Sequence, residues 1–184
     1  MTFSIQPLPL DGPLFEGAID VYSRAFALPP YSDPGRGEEI RSRMTEVHKD
    51  RAGFRAFCAC IPGSEVVGMI YGYHGQPGQW WHDTVLRELK REAATSWLGD
   101  SYELVEVAVD PDYQDRGIGA LLIGHLLERV HEETCVLSTR TDSRAHNLYR
   151  RLGFEVITEM VFSPHGAPFY VMGRDMRLSP IRLD

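Results

Sequence analysis

The residues best suited to chemistry surround a glycine-bearing turn, Gln114–Ala120 (QDRGIGA). A strand is predicted before it over Glu103–Val109, where valine occupies every second position from Val105, and an amphipathic helix is predicted after it. The first amides of a helix have no intrahelical partners and lie at the positive end of its dipole. Gly117 and Gly119 carry no Cβ atoms, so an anion could come close to those amides. The segment therefore predicts either a phosphate site or an ordinary strand-to-helix turn.

A second segment, Ala145–Phe154 (AHNLYRRLGF), adds a further pattern downstream. The strand followed by Q-x-x-G-x-G-A and a helix resembles motif A of the GCN5-related N-acetyltransferase (GNAT) superfamily, and A-x-x-L-Y-x-x-L-G-F resembles its motif B. Two motifs in this order are far more specific than either alone, and they cover about residues 101–162. One departure is Asp142, which stands where motif B often has an asparagine that contacts the coenzyme.

The resemblance implies a fold of the α/β (α+β) class. We expect one GNAT-like domain over residues 1–184, with a mixed, mostly antiparallel central sheet flanked by helices, a splayed central strand pair, and an inserted helical segment at about 75–100. The element pattern read from the sequence agrees with this fold. The predicted strands are Phe3–Pro9, Phe54–Ile61, Glu65–Tyr73, Glu103–Val109, Thr134–Thr139, Phe154–Phe162 and Phe169–Leu178. The predicted helices are Leu14–Ala27, Glu38–Lys49, one helix within Trp80–Trp97, one carrying Leu121 to Val130, and Ser143–Leu152, capped by Thr141 or Asp142 and ended by Gly153.

The resemblance also implies acetyl-CoA as co-substrate, with no metal. In the family, free backbone groups of the strand before motif A pair with the pantetheine arm and the acetyl carbonyl, and the loop amides hold the pyrophosphate. Carried onto this sequence, the strand residues are Val107, Ala108 and Val109. The pyrophosphate residues are Gln114, Asp115, Arg116, Gly117, Ile118, Gly119 and Ala120, and Asn147 is expected to touch the arm.

Acetylation of an amine by a thioester requires a base for the amine and an acid for the leaving thiolate. By resemblance, Tyr149 is the acid, although a tyrosine merely packed beside its neighbours fits the residues as well. Glu106 and Glu103 are the base candidates. A solvated carboxylate near a strand end is the alternative for both, and it is the favoured interpretation for Glu103. Some relatives carry a glutamate on the strand before motif B, and here Cys135–Ser138 has none.

The acceptor pocket falls on the parts of the chain that the motifs cover least. We expect the Ala27–Arg36 loop, the insertion and the final hairpin to form it, with Tyr31, Trp80 and Trp81 as lining residues. The insertion could equally be an extra helix that covers the core. His74 and His82 are interpreted as surface residues rather than pocket contacts.

Composition narrows the class of protein. A net charge of −7 over 184 residues disfavours nucleic acid and membrane surfaces as partners and is compatible with a cationic acceptor. There is no long apolar run and no signal-peptide pattern, so we expect a cytoplasmic protein. The three cysteines cannot all pair, and Cys58 and Cys60, two apart in a strand, are interpreted as buried thiols rather than a bridge or half of a metal site.

The expected function is acetyl-CoA-dependent transfer of an acetyl group to a primary amine of a small molecule or a peptide, by direct attack in a ternary complex. The alternative is an inactive GNAT-fold module that binds or senses the coenzyme. A tyrosine at position 149 favours the enzyme, because a binding module has no evident need for it. Homodimers are common in the family, which makes a homodimer a candidate assembly.

Overall fold

The computed structural model describes residues 2–63 and 65–178. Within them the chain folds as a mixed α/β protein with the strand order β1-β2-β3-β4-β5-β7-β6 in one mostly antiparallel sheet. The strands are β1 (Ser4–Pro7), β2 (Arg55–Ile61), β3 (Glu65–Gly75), β4 (Ser101–Val109), β5 (Thr134–Arg140), β6 (Glu155–Val161) and β7 (Pro168–Asp175). The helices are α1 (Gly12–Ala27), α2 (Arg36–Ser42), α3 (Trp80–Glu88), α4 (Arg91–Leu98), α5 (Ile118–Leu127) and α6 (Ala145–Arg151).

Two compact units can be distinguished, and each is described by itself. The first contains the described residues up to Tyr73 together with Val105–Arg129, and the second contains His74–Leu104 and the described residues from Val130. Strands β3 and β4 contribute residues to both. The expectation of one domain over the whole chain stays a prediction. No helix in the described part of the chain combines the length and the apolar character needed to cross a membrane.

The core of the first unit lies between α1, α2 and strands β2 and β3. Helix α1 begins with proline at its first turn, where the missing N–H costs nothing. Its buried face carries Phe15, Ile19, Tyr22 and Phe26, at the spacing that the sequence indicated. These side chains share one apolar cluster with Met69 and other residues of the strands.

The second unit is built on the β5-β7-β6 arrangement. Antiparallel registers join Thr134 to Asp175 and Val161 to Pro168, so the predicted closing hairpin is confirmed. Strand β5 is parallel to β4 over a short register, which joins Ser101–Glu103 to Thr134–Val136. Three paired positions in a nine-residue strand are typical of the splayed pair that the resemblance implies.

The inserted segment differs from the prediction, because it forms two helices rather than one. Leu89 and Lys90 have extended backbone angles, with ψ of 143° and 148°, and they separate α3 from α4. The break lets Val85 of α3 and Leu98 of α4 both enter an apolar cluster with residues of β5, β6 and β7. A single straight helix of this length would spread those side chains along one stripe, and tertiary packing overrides that local preference.

Smaller differences have equally local reasons. The helix predicted over Glu38–Lys49 is α only as far as Ser42 and continues as a π turn, Arg43–Val47, and a short 3₁₀ turn. The expected cap of α6 is wrong: Asp142 is engaged by Arg140 in two hydrogen bonds of 2.9 and 2.7 Å, and the helix begins after Arg144 without a side-chain cap. Gly153 ends α6 with φ of +85°, as predicted. Ser64 of the predicted β2–β3 turn lies outside the described residues.

Candidate active site

Strand β4 ends at a turn held by one buried carboxylate, that of Asp110. Its Oδ1 atom accepts a hydrogen bond from the Asp112 amide at 2.9 Å, and its own amide donates to the Val67 carbonyl oxygen at 3.0 Å. The Asp110 side chain is only 1% exposed and lies 2.6 Å from the guanidinium of Arg24 on α1. The end of the strand is therefore fixed to its neighbouring strand and to α1.

The glycine turn takes the conformation that a helix-start anion site requires. Gly117 has φ of +80° and stands immediately before α5, and no side chain caps the helix. A Cβ atom at this position would meet nothing within 4 Å, so the positive φ, and not a lack of space, is what favours glycine here. Since the first turn of a helix offers amides without intrahelical partners, this end of α5 can take an anionic group.

Side chains of the loop stabilise its backbone conformation. Gln114 Nε2 donates to the Val109 carbonyl oxygen at 3.1 Å, and an Nη atom of Arg116 donates to the Asp112 carbonyl oxygen at 3.0 Å. The Arg116 guanidinium lies over the Tyr113 ring, 5.1 Å from its centroid. Asp115 has φ of +58°, a left-handed conformation that Asp tolerates better than most residues. Gln114, Asp115 and Arg116 are all exposed.

Glu106 on β4 precedes this turn in the chain and lies in the middle of a polar network. Its side chain is 11% exposed, and its Oε1 atom lies 3.5 Å from an Nη atom of Arg36 at the start of α2. The Tyr22 hydroxyl on α1 accepts a hydrogen bond from Arg36 Nε at 2.8 Å and faces the same carboxylate, whose pKa it lowers. Burial raises the pKa of Glu106 above its usual value, and the Arg36 charge opposes that rise. A raised pKa is suited to a group that must accept a proton.

Tyr31 belongs to the same part of the first unit. Its ring lies 4.6 Å from that of Phe26, and the Arg36 guanidinium carbon is 5.4 Å from the Tyr31 centroid and 4.5 Å from the Phe26 centroid. The predicted lining residue Tyr31 and the predicted base Glu106 are thus brought together through one arginine.

Comparison with known proteins agrees with this geometry. Residues 18–154 match the acetyltransferase (GNAT) family, a stretch that includes the second part of α1, the glycine turn and motif B. The chain belongs to the GNAT family. The GNAT relative named GCN5-like protein acetyltransferase Rv2170, from Mycobacterium tuberculosis, is 38% identical over 193 residues, which cover 88% of this chain and 91% of the relative.

Solved GNAT structures show the same fold. The ribosomal-protein-S18-alanine N-acetyltransferase of Escherichia coli superposes with a TM-score of 0.65 at 20% identity, over 97% of this chain and 96% of that one. The NatC complex bound to Gag peptide and CoA gives a TM-score of 0.63 at 16% identity, over 95% and 99% of the two chains. The predicted family and fold class are therefore confirmed, and the chain is a transferase of the N-acetyltransferase kind.

The motif B residues of this GNAT chain lie in the second unit. Tyr149 is buried on α6, with its ring 5.9 Å from that of Phe154, while Asn147 on the same helix is exposed. Neither the acid role of Tyr149 nor the coenzyme contact of Asn147 is tested by these positions, and both stay predictions. So do the coenzyme contacts of Val107, Ala108 and Val109 on β4.

Glu103 does not have the environment expected for it. It is 4% exposed in β4, opposite Val136 of β5, so the interpretation as a solvated carboxylate is wrong. The error arose because the strand begins at Ser101, two residues earlier than predicted, and continues into a sheet that buries this end.

The two tryptophans of the insertion have different environments. Trp81 is half-buried, and its indole Nε1 donates to Ser138 Oγ on β5 at 3.0 Å. Trp80 is 64% exposed and lies 5.6 Å from the Phe162 ring. Trp81 therefore fixes the insertion to the second unit, and Trp80 remains available to a ligand. His82, expected on the surface, is 3% exposed.

Arg36, Tyr22 and Phe26 are the residues of this GNAT site that sequence reasoning missed. The sequence predicts only a helix over Leu14–Ala27, which contains Tyr22 and Phe26, and a loop that ends at Arg36. Arg36 and Glu106 are 70 residues apart, so no spacing along the chain connects them. The available signal was weak: Arg36 is the last residue of the Ala27–Arg36 loop, which is predicted to bind the acceptor.

Proposed function

We propose that this GNAT-family protein is an acetyl-CoA-dependent enzyme that acetylates a primary amine of a small molecule or a peptide by direct attack in a ternary complex. The observation that carries the proposal is the open start of α5 behind Gly117. Its positive φ and the free space at its missing Cβ fit a diphosphate against the helical amides. The residues proposed to hold the coenzyme are those of the Gln114–Ala120 loop, the backbone of Val107, Ala108 and Val109, and Asn147.

The proposed chemistry uses two side chains. The amine nitrogen attacks the thioester carbonyl carbon, the C–N bond forms, and collapse of the tetrahedral intermediate breaks the C–S bond. Glu106 takes the proton that the amine loses, directly or through a water molecule, and Tyr149 gives a proton to the departing thiolate. The products are the acetylated amine and free CoA. The raised pKa of Glu106 supports its role as base, and its motif position supports the role of Tyr149 as acid.

Glu103 is the weaker candidate for the base. It pairs in register with Val136 at the closed end of the β4–β5 pair, where both strands are still hydrogen-bonded. Glu106 lies beyond that paired stretch and within a network of charged and hydroxyl groups. The environment of Glu106 is thus the one that can exchange a proton.

The acceptor is proposed to be an amine held by Tyr31, Trp80 and Trp81. A protein amine is favoured because the M. tuberculosis relative, which matches nearly the whole chain, is named a protein acetyltransferase. The net charge of −7 supports a cationic acceptor in general terms. A homodimer stays a candidate assembly.

The first experiment is a thermal-shift titration with acetyl-CoA, CoA and dephospho-CoA. A ligand that binds the native state alone, at about 100 times its dissociation constant, adds about 2.7 kcal/mol to the free energy of unfolding. A saturable shift is then followed by a panel of peptide and small amines, with free thiol as the readout. The three cysteines are buried, so the folded enzyme contributes little thiol background.

Three outcomes are informative. A saturable shift with thiol release supports the transferase. A saturable shift that Glu106→Gln and Tyr149→Phe leave unchanged, with no thiol release across the panel, favours the coenzyme-binding module. The absence of any shift at millimolar coenzyme would overturn both functions, because each requires the site at the start of α5.

A further inference from the structure

Arg36, at the first turn of α2, is contacted by two aromatic rings and one hydroxyl group. Its guanidinium carbon lies 4.5 Å from the Phe26 ring centroid and 5.4 Å from that of Tyr31. Its Nε atom donates to the Tyr22 hydroxyl at 2.8 Å. Two aromatic faces and one hydroxyl thus fix the plane of the guanidinium, because a cation is attracted to the ring face and the fork is rigid.

The Arg36 guanidinium also contacts the Glu106 carboxylate. An Nη atom lies 3.5 Å from Oε1, and the Tyr22 hydroxyl, which accepts a hydrogen bond from Arg36, faces the same carboxylate. The carboxylate is therefore held from two sides by groups on α1 and α2. A side chain with three rotatable bonds would otherwise have several orientations available.

We propose that Arg36 is a positioning residue for the acetyl transfer, which holds the Glu106 carboxylate ionised and in a single orientation. This inference rests on the proposed function, in which Glu106 is the base. Arg36 itself does not touch the reacting atoms in this account. It acts through Glu106, while the Phe26 and Tyr31 rings and the Tyr22 hydroxyl hold its guanidinium in place.

Among the charged and titratable groups that face Glu106, Arg36 does most to keep the carboxylate ionised. From α1 the carboxylate faces Tyr22, from α2 Arg36, from the π turn Arg43, and from β3 Tyr71. The side chain of Arg43 is paired with Glu39, which offsets its charge, and Tyr71 is neutral, with its hydroxyl 3.0 Å from His48 Nδ1. Burial raises the pKa of Glu106, and the Arg36 charge is the largest influence in the opposite direction.

A purely structural role for Arg36 makes a different prediction. An arginine that only joins α2 to α1 would change the melting temperature when it is removed, but not the titration of Glu106. Arg41 supplies the matched control on the same helix. Its guanidinium also lies over a phenylalanine ring, 5.4 Å from the Phe15 centroid, and also binds a glutamate, Glu16, at 2.8 and 2.7 Å.

The experiment measures the titration of Glu106 directly and through catalysis. Carboxyl carbon resonances of glutamate-labelled protein are followed with pH, with Glu106→Gln used for assignment, in the parent, Arg36→Gln, Arg36→Lys and Arg41→Gln proteins. In parallel, kcat/KM is measured against pH with one amine acceptor. Melting temperatures of all variants establish that each is folded.

We expect Arg36→Gln to move the Glu106 titration upward by about one pH unit or more. The acid limb of kcat/KM moves upward with it, since the enzyme loses activity as the base becomes protonated. Arg36→Lys keeps the charge but loses the planar fork, so its titration stays closer to that of the parent while kcat falls. Arg41→Gln leaves both the resonance and the limb unchanged.

Failure of this inference can be separated from failure of the proposed function. An unchanged Glu106 titration in folded Arg36→Gln overturns the inference, even if Glu106→Gln abolishes turnover and so supports Glu106 as the base. Full turnover of Glu106→Gln would instead remove the base assignment, and the role of Arg36 would fall with it.

Discussion

Arg24 and Asp110 form an ion pair, with 2.6 Å between an Nη atom and Oδ2, in which the carboxylate is 1% exposed and the arginine 52% exposed. Asp110 directly follows the last residue of β4 and begins the loop toward Gly117. The pair therefore connects the exposed side of α1 to the start of the proposed coenzyme site. The two partners differ in exposure. If the pair is broken, Arg24 can be solvated by water, whereas the buried Asp110 carboxylate cannot.

Replacing Arg24 is expected to destabilise the protein more than an exposed arginine normally would. Arg24→Met leaves a buried carboxylate without its cation, which costs about 1–3 kcal/mol in the free energy of unfolding. Urea denaturation measures this value. Arg43→Met, which breaks the surface pair with Glu39, is the control and should cost under about 1 kcal/mol. Equal losses in the two variants would show that the Arg24–Asp110 pair is no stronger than a surface pair.

Gly117→Ala is expected to weaken coenzyme binding. The methyl group meets no atom, but φ of +80° costs an L residue about 1–2 kcal/mol, and relief of that strain would turn the first amides of α5. Gly12→Ala is a close match, since Gly12 has φ of +75°, also stands in open space and also begins a helix. Both variants should lose similar stability in thermal melts, and only Gly117→Ala should raise the Kd for acetyl-CoA. Equal affinities would place the phosphates elsewhere.

Tyr149→Phe is expected to lower kcat by about 10²-fold or more, the usual range for a general acid. The Kd for CoA should stay within a factor of about two, because the ring and its packing on Phe154 are retained. Rapid-mixing kinetics and calorimetry give the two quantities. Tyr170→Phe on β7 is the comparison, and it should retain turnover. A Tyr149→Phe enzyme with parental kcat would exclude the acid role.

His48 is expected to make the protein less stable in mild acid. Burial first, and then the charges of Arg51 and Arg43, lower the pKa of His48 to about 4. The native state therefore keeps the ring neutral, while the unfolded chain protonates it near its ordinary pKa of about 6.5. Stability is fully present above that unfolded value and falls as the pH drops from about 6.5 to about 4, by about 2–3 kcal/mol.

The His48 contribution is isolated by substitution. His48→Gln cannot be protonated, so the difference in free energy of unfolding between parent and variant should change by this amount between pH 7 and pH 4. A parallel pH dependence in parent and His48→Gln would mean that His48 is not kept neutral by the fold.

The sequence determined the elements whose cause is local. The turn at Gly117 and the end of α6 at Gly153 follow from residues that lie next to one another, since a positive φ favours glycine. The alternation in β4 and the spacing in α1 follow in the same way from periods of two and 3.6 residues. Together with the two motifs, these features sufficed for the family and the fold class.

Tertiary structure decided what depends on partners far apart in the chain. The break between α3 and α4 exists because both helices bury residues against the same strands, and Asp142 fails to cap α6 because Arg140 engages it. Glu103 and His82 are buried, and the local sequence pattern does not predict this burial.

The same reason governs the candidate site. The sequence identified Glu106 and Tyr149 from their positions within motifs, but it could not supply Arg36. Arg36 lies 14 residues from Tyr22 and 70 from Glu106 along the chain, and only the packing of α1 and α2 against the sheet makes the three side chains neighbours. Periodicity records which face of an element is buried, whereas the folded chain alone records which charge that face meets.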